Sequence, residues 1–161
     1  MIKYKTAVLL GSSLKMGGII NDVNETDLES LYDIGLNLGL AFQIQDDYLD
    51  LFGDQNLIGK KIGGDIIKRK KTVMYHVFKE ISNEDDSLTL DQLYNDSNSD
   101  DGSKIQKVFE LFKNANVDVK TKDLVKNYST KAINSLENLN IENDKKSELI
   151  QICNKLISRD F

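Results

Sequence analysis

Phe42-Gln43-Ile44-Gln45-Asp46-Asp47-Tyr48-Leu49-Asp50 is the stretch whose reading decides the fold, because three acids fall inside an apolar run with no helix breaker from Leu28 to Phe52. On a helix, residues four apart stack on one face. Asp46 and Asp50 therefore point the same way, with Asp47 one step round and Gln43 one turn earlier. Two carboxylates about 4 Å apart repel by roughly 4 kcal/mol at an effective dielectric of about 20. Phe42, Ile44, Leu49, Leu51 and Phe52 crowd these acids, and partial burial worsens the repulsion. Such a face calls for a cation. A hard divalent ion such as Mg²⁺ suits it, since that ion takes one or two carboxylates and completes its shell with water and phosphate.

Working outward, Thr26 and Glu29 have the spacing of a capping box and Asp27 adds charge in the first turn, which predicts a helix from Thr26 to Phe52. Leu28, Leu31, Tyr32, Gly35, Leu38, Gly39 and Phe42 recur along it at intervals of three and four. Gly35 and Gly39 each cost about 1 kcal/mol against alanine in a helix interior, so they predict the close approach of another helix. Residues 3–16 also read as a helix, striped by Tyr4, Ala7, Val8, Leu10 and Leu14 and ended by Gly17-Gly18. No N-terminal cap precedes it, so the chain reads as starting inside a helix.

Downstream, residues 55–65 lack periodicity and carry Gly59, Gly63 and Gly64, which reads as an ordered loop. Lys68-Arg69-Lys70-Lys71 follows at once, before a short helix over 72–81. Residues 83–103 are mostly Asp, Asn, Ser and Glu and read as a mobile acidic connection with a weakly helical island over 88–94. Three further helices are predicted over 104–114, 121–138 and 144–159, striped by Ile105, Val108, Phe109 and Phe112, then Leu124, Val125, Tyr128, Ala132 and Leu136, then Leu149, Ile152 and Leu156.

The 161 residues contain no proline, so nothing forbids long helices, and the expectation is one all-α domain. It divides into 1–82 with the acidic helix and basic loop, the connection 83–103, and the scaffold helices 104–161. A net charge of −5 argues against nucleic acid as partner. The single cysteine, Cys153, excludes an internal disulfide and is expected to be buried; His76 is expected in a surface or packing role. With no secretory signal and no long apolar run, the expectation is a cytoplasmic protein without a membrane span.

In order, Gln43 to Asp50, Gly59-Lys60, Gly63-Gly64-Asp65-Ile66 and Lys70-Lys71-Thr72 resemble the second aspartate-rich region of trans-isoprenyl diphosphate synthases, the group of farnesyl and geranylgeranyl diphosphate synthases. Lys5-Thr6 is similar to that family's lysine-threonine pair, and Asn154 to Arg159 to its C-terminal tail. The resemblance implies the all-α isoprenoid synthase bundle. It implies a prenyltransferase in which an allylic diphosphate ionises with Mg²⁺, isopentenyl diphosphate attacks the carbocation, and loss of a proton completes the step. Asp46, Asp47 and Asp50 would then serve the metal, and Lys5, Lys60 and Lys70 the diphosphate. Thr6 and Gln43 would turn oxygen dipoles towards the carbocation, and Asp65 would orient the basic loop. Arg69 stands where the family often has asparagine or another small polar residue.

The family's first aspartate-rich region belongs to an earlier stretch. The chain is thus expected to be the C-terminal half of such an enzyme, inactive alone, and to associate with the missing half or as a homodimer. The alternative is a noncatalytic subunit pairing with a full-length synthase. A terpene cyclase also ionises a metal-bound diphosphate, but the Gly63 to Thr72 loop looks more like the elongating enzymes.

Overall fold

The computed structural model describes residues 1–54 and 62–157, and among these every regular element is a helix. A π-helical turn, Lys3–Ala7, runs into α1 (Val8–Ile20), followed by α2 (Glu25–Phe52), α3 (Gly64–Ile67), α4 (Val73–Ile81), α5 (Glu84–Asn95), α6 (Asp101–Asn114), α7 (Val117–Glu137) and α8 (Asn143–Ile157). The all-α expectation holds. Gly59, Lys60, Lys61 and Arg159 lie outside the described residues. The chain forms two units, one holding residues 1–45 and the chain from Leu124 onward, the other Asp46–Asp123, so that α2 and α7 each contribute to both.

In the first unit α1 and α2 meet backbone to backbone. A Cβ added at Gly39 would lie 2.5 Å from the Ala7 Cα, and one at Gly35 would lie 2.6 Å from the Leu10 carbonyl oxygen. No side chain larger than hydrogen fits there, which is why α2 tolerates two poor helix formers. Below this contact, Ile34, Leu38, Ala132, Leu136, Leu139 and Cys153 form a core, joined by Leu10, Leu14, Leu31 and Leu149. Burial pushes the Cys153 thiol pKa up, so it stays protonated and inert.

Several boundaries differ from the sequence reading. The first helix does not stop at Gly17-Gly18 but runs to Ile20. Gly18 is there for packing, since a Cβ would come within 2.7 Å of both Leu28 and Leu31. Helix α2 is capped by Asn24, whose Oδ1 accepts from the Asp27 N–H at 3.0 Å, and not by the Thr26 box. In α8 Ile152 is 54% exposed, and the inward face runs through Leu149, Ile150 and Cys153 instead.

The second unit holds Leu51, Ile66, Met74, Tyr75, Phe78, Leu90, Tyr94, Val108, Phe112 and Val117 as its core. The acidic connection expected over 83–103 is mainly helix α5. Asn83 caps it by accepting from the Asp86 N–H at 2.8 Å, and Leu90 and Tyr94 are buried. Its acids are either solvent-facing or matched: Tyr75 Oη donates to Asp91 Oδ1, and Lys79 Nζ donates to Asp91 Oδ2 at 2.8 Å. The next helix begins at Asp101, three residues before the expected Lys104, because Asp100 caps it through the Ser103 N–H at 3.0 Å.

Two measurements check this packing. Gly39→Ala is expected to destabilise by about 1–2 kcal/mol despite its better helix propensity. Gly17→Ala, with open space around its Cβ, is expected to stabilise by about 0.5–1 kcal/mol in the same urea titrations. The hydrogen bond from Lys79, then that from Tyr75, holds the Asp91 carboxyl below its ordinary value. Its contribution is therefore present above about pH 4 and is lost as pH falls through the lowered value. Asp91→Asn should cost about 1 kcal/mol at pH 7, and the difference from the parent chain should shrink towards pH 3.

Candidate functional site

The last turns of α2 bury Leu49 and carry Leu51 into the second unit's core, and this fixes how the interleaved acids face. Asp46 is exposed, Asp47 is buried at 6% and Asp50 is half-buried. Beyond the helix the chain returns along Asp50. Gly63 N–H donates to the Asp50 carbonyl oxygen at 2.6 Å, and Asp65 N–H donates to Asp50 Oδ2 at 2.9 Å. Gly63 makes this return possible. It adopts φ 77°, and a Cβ there would sit 2.6 Å from Ile105 Cγ1.

The same turn delivers Lys70. Its backbone N–H donates to the Asp65 carbonyl oxygen at 2.9 Å and its Nζ pairs with Asp65 Oδ1. The Asp65 hydrogen bond raises the Lys70 pKa, and the Asp65, Asp47 and Asp50 carboxylates add to it. Burial raises the Asp50 carboxyl above its ordinary value; the Asp65 N–H and Lys70 oppose this, while Asp65 and Asp46 push the same way. Among the described residues, the carboxylates of Asp47, Asp50 and Asp65 act on the Lys70 ammonium, and that of Asp46 acts on Asp50. The structure thus brings Asp50, Asp65 and Lys70 together, with Asp46 and Asp47 within their electrostatic reach.

Lys68, Arg69 and Lys71 of the basic run are exposed. Lys71 Nζ lies 5.1 Å from the centre of the Tyr75 ring. Arg69 adopts φ 54°, the left-handed region that favours glycine and asparagine. Its Nη2 donates to Ser97 Oγ at 2.8 Å, a tether that sequence reasoning missed. The Leu90, Leu93, Tyr94 spacing was the available signal that residues 83–103 fold back into the unit.

Lys5, Thr6 and Gln43 belong to the first unit. Thr6 Oγ1 donates to Gln43 Oε1 at 2.8 Å, and Lys5 is exposed beside it. Tyr48 stacks on Phe52 with ring centres 5.2 Å apart in the second unit, a packing role. His76 is exposed.

Among the described residues no three His, Cys, Asp or Glu side chains converge as a ready-made metal cluster. The donor set nevertheless suits Mg²⁺. One exposed and one half-buried carboxylate lie a helical turn apart, and burial, with the Asp65 and Asp46 carboxylates adding to it, raises the Asp50 pKa. That is the one- or two-carboxylate pattern of an ion that keeps water and phosphate oxygens in its shell.

Comparison with known proteins gives a consistent picture. Residues 1–112 match the family model for polyprenyl synthetase. The chain is 34% identical over 145 residues to a geranylgeranyl diphosphate synthase of Saccharolobus solfataricus, covering 89% of this chain and 42% of that one. It is 39% identical over 114 residues to a short chain isoprenyl diphosphate synthase of Methanocaldococcus jannaschii, covering 70% of this chain and 34% of that one. A solved geranylgeranyl pyrophosphate synthase superposes with a TM-score of 0.88 at 38% identity, over 99% of this chain and 50% of that chain. The chain therefore spans half or less of the length of these relatives.

The loop geometry makes a prediction of its own. Asp50→Asn keeps an oxygen for the Asp65 N–H, whereas Asp50→Ala removes it. Amide exchange at Asp65 is expected to rise at least about tenfold in Asp50→Ala, equivalent to about 1.4 kcal/mol, and to stay near the parent value in Asp50→Asn.

Proposed function

The chain belongs to the polyprenyl synthetase family, and from that premise we propose that its acidic helix and basic loop form the diphosphate-gripping part of a prenyltransferase. The reaction condenses isopentenyl diphosphate with an allylic diphosphate to give a longer trans-prenyl diphosphate. The observation that carries this reading is the linkage of Asp50, Asp65 and Lys70, which sets a cation beside a wall of carboxylates.

Asp46, Asp47 and Asp50 would hold Mg²⁺, which when bound supplies positive charge against the diphosphate oxygens. Lys70 grips the leaving diphosphate by exchanging its Asp65 contact for a phosphate oxygen, with Lys60 and Lys5 as further cations. Asp65 keeps Lys70 at the wall until that exchange. Thr6 has already donated its hydroxyl proton to Gln43, so the Thr6 oxygen presents lone pairs to the positive charge that develops on the prenyl chain. The allylic C–O bond breaks, a C–C bond forms to isopentenyl diphosphate, and one proton leaves the product.

Calorimetry with inorganic pyrophosphate tests the site. Binding should require Mg²⁺ and should weaken by about tenfold or more in Asp46→Ala and in Lys70→Ala, as expected for losing a charge-assisted contact. The reading fails if the folded chain binds pyrophosphate no better with Mg²⁺ than without, or if both variants bind like the parent.

A further inference from the structure

Helix α3 ends on a residue type that its geometry disfavours. The Lys70 N–H donates to the Asp65 carbonyl oxygen at 2.9 Å, and the Arg69 N–H donates to the Ile66 carbonyl oxygen at 2.9 Å. With Arg69 at φ 54°, that pair of bonds is a Schellman motif, the reversal that closes a helix through one left-handed residue. Glycine takes this position without steric cost, whereas an arginine Cβ crowds the carbonyl oxygen that follows it. The longer-range bond of the motif is the one that returns Lys70 to Asp65, where the Lys70 Nζ meets Asp65 Oδ1. The placement of Lys70 therefore depends on a neighbour held in a conformation that its own side chain opposes.

What holds Arg69 lies 28 residues further along the chain: its Nη2 donates to Ser97 Oγ at 2.8 Å. Ser97 belongs to the short connection between α5 and α6, which is itself pinned. The Asp96 carbonyl oxygen accepts from the Lys104 Nζ at 2.9 Å, with Lys104 only 4% exposed, and Asp96 Oδ1 accepts from the Asn98 N–H at 2.8 Å. Ser97 thus offers the guanidinium a fixed acceptor. A hydrogen bond from a charged donor is stronger than a neutral one, so the tether offsets part of what the left-handed backbone costs.

We propose that Ser97, acting through Arg69, is a positioning residue for Lys70 and so sets how strongly the basic loop holds a diphosphate. The second step rests on the diphosphate reading; the placing of Lys70 by the tether does not. The competing arrangement puts the Arg69 guanidinium directly on the ligand. Glycine at position 69 separates the two, since it lacks the guanidinium yet adopts the left-handed backbone freely.

The test combines amide exchange at Lys70 in the free chain with calorimetric titration of Mg²⁺ and pyrophosphate. Ser97→Ala and Arg69→Ala are each expected to speed exchange at Lys70 and to weaken pyrophosphate binding by about threefold or more, as for the loss of one hydrogen bond. Arg69→Gly is expected to stay within about twofold of the parent chain in both measurements. Adding Ser97→Ala to Arg69→Gly is expected to change neither further. The proposal is overturned if Ser97→Ala leaves Lys70 exchange at the parent rate, or if it acts as strongly in the Arg69→Gly background. It is also overturned if Arg69→Gly binds pyrophosphate as weakly as Arg69→Ala, which puts the guanidinium on the ligand. Pyrophosphate that binds none of the chains, with the exchange pattern as expected, refutes the diphosphate reading and supports the placing of Lys70 by the tether.

Discussion

A carboxylate held half out of water must be matched by donors, and Asp50 is the group whose matching organises the site. Its side chain accepts the Asp65 N–H and its carbonyl accepts the Gly63 N–H, so one residue fixes the path of the loop that follows the helix. That path leaves Asp65 facing Lys70. Burial raises the Asp50 pKa, and the Asp65 and Asp46 carboxylates add to that rise. A wall in that condition is prepared for a divalent cation and for an anion that brings one with it.

The second constraint is the contact between α1 and α2. Gly39 lets Ala7 approach to backbone distance, and this sets the neighbouring Thr6 within 2.8 Å of Gln43, one turn further along α2. Two glycines that weaken the helix therefore position the one side-chain pair in the first unit with a proposed role near the prenyl chain. Packing and chemistry share the same residues there.

The parts of this architecture written in short-range pattern were legible in sequence. The long acidic helix, the close approach at Gly35 and Gly39, the burial of Cys153 and the all-α class all follow from periodicity and residue size. Features that depend on a distant partner were not. Gly17-Gly18 looks like a helix stop until Leu28 and Leu31 are set against Gly18. The acidic stretch 83–103 looks unstructured because its composition hides Leu90 and Tyr94, two residues that reach a core assembled from α4 and α6. For the site, acids and cations could be read at their spacing, but the Asp50 to Asp65 hydrogen bond and the Arg69 tether to Ser97 could not. Both join residues far apart in the chain, 15 and 28 positions.

The central claim is that the Asp50 wall, with Lys70 opposite, takes a magnesium diphosphate. The most direct measurement follows the aspartate side-chain carboxyl carbons and the Lys70 Nζ by NMR as Mg²⁺ and pyrophosphate are added separately and together. The account predicts saturable shifts at Asp46, Asp50 and Lys70 that need both components, with the Asp65 contact of Lys70 released at saturation. Resonances at these residues that stay fixed while the chain remains folded, or that move equally for Mg²⁺ alone and for unrelated salts, would contradict it.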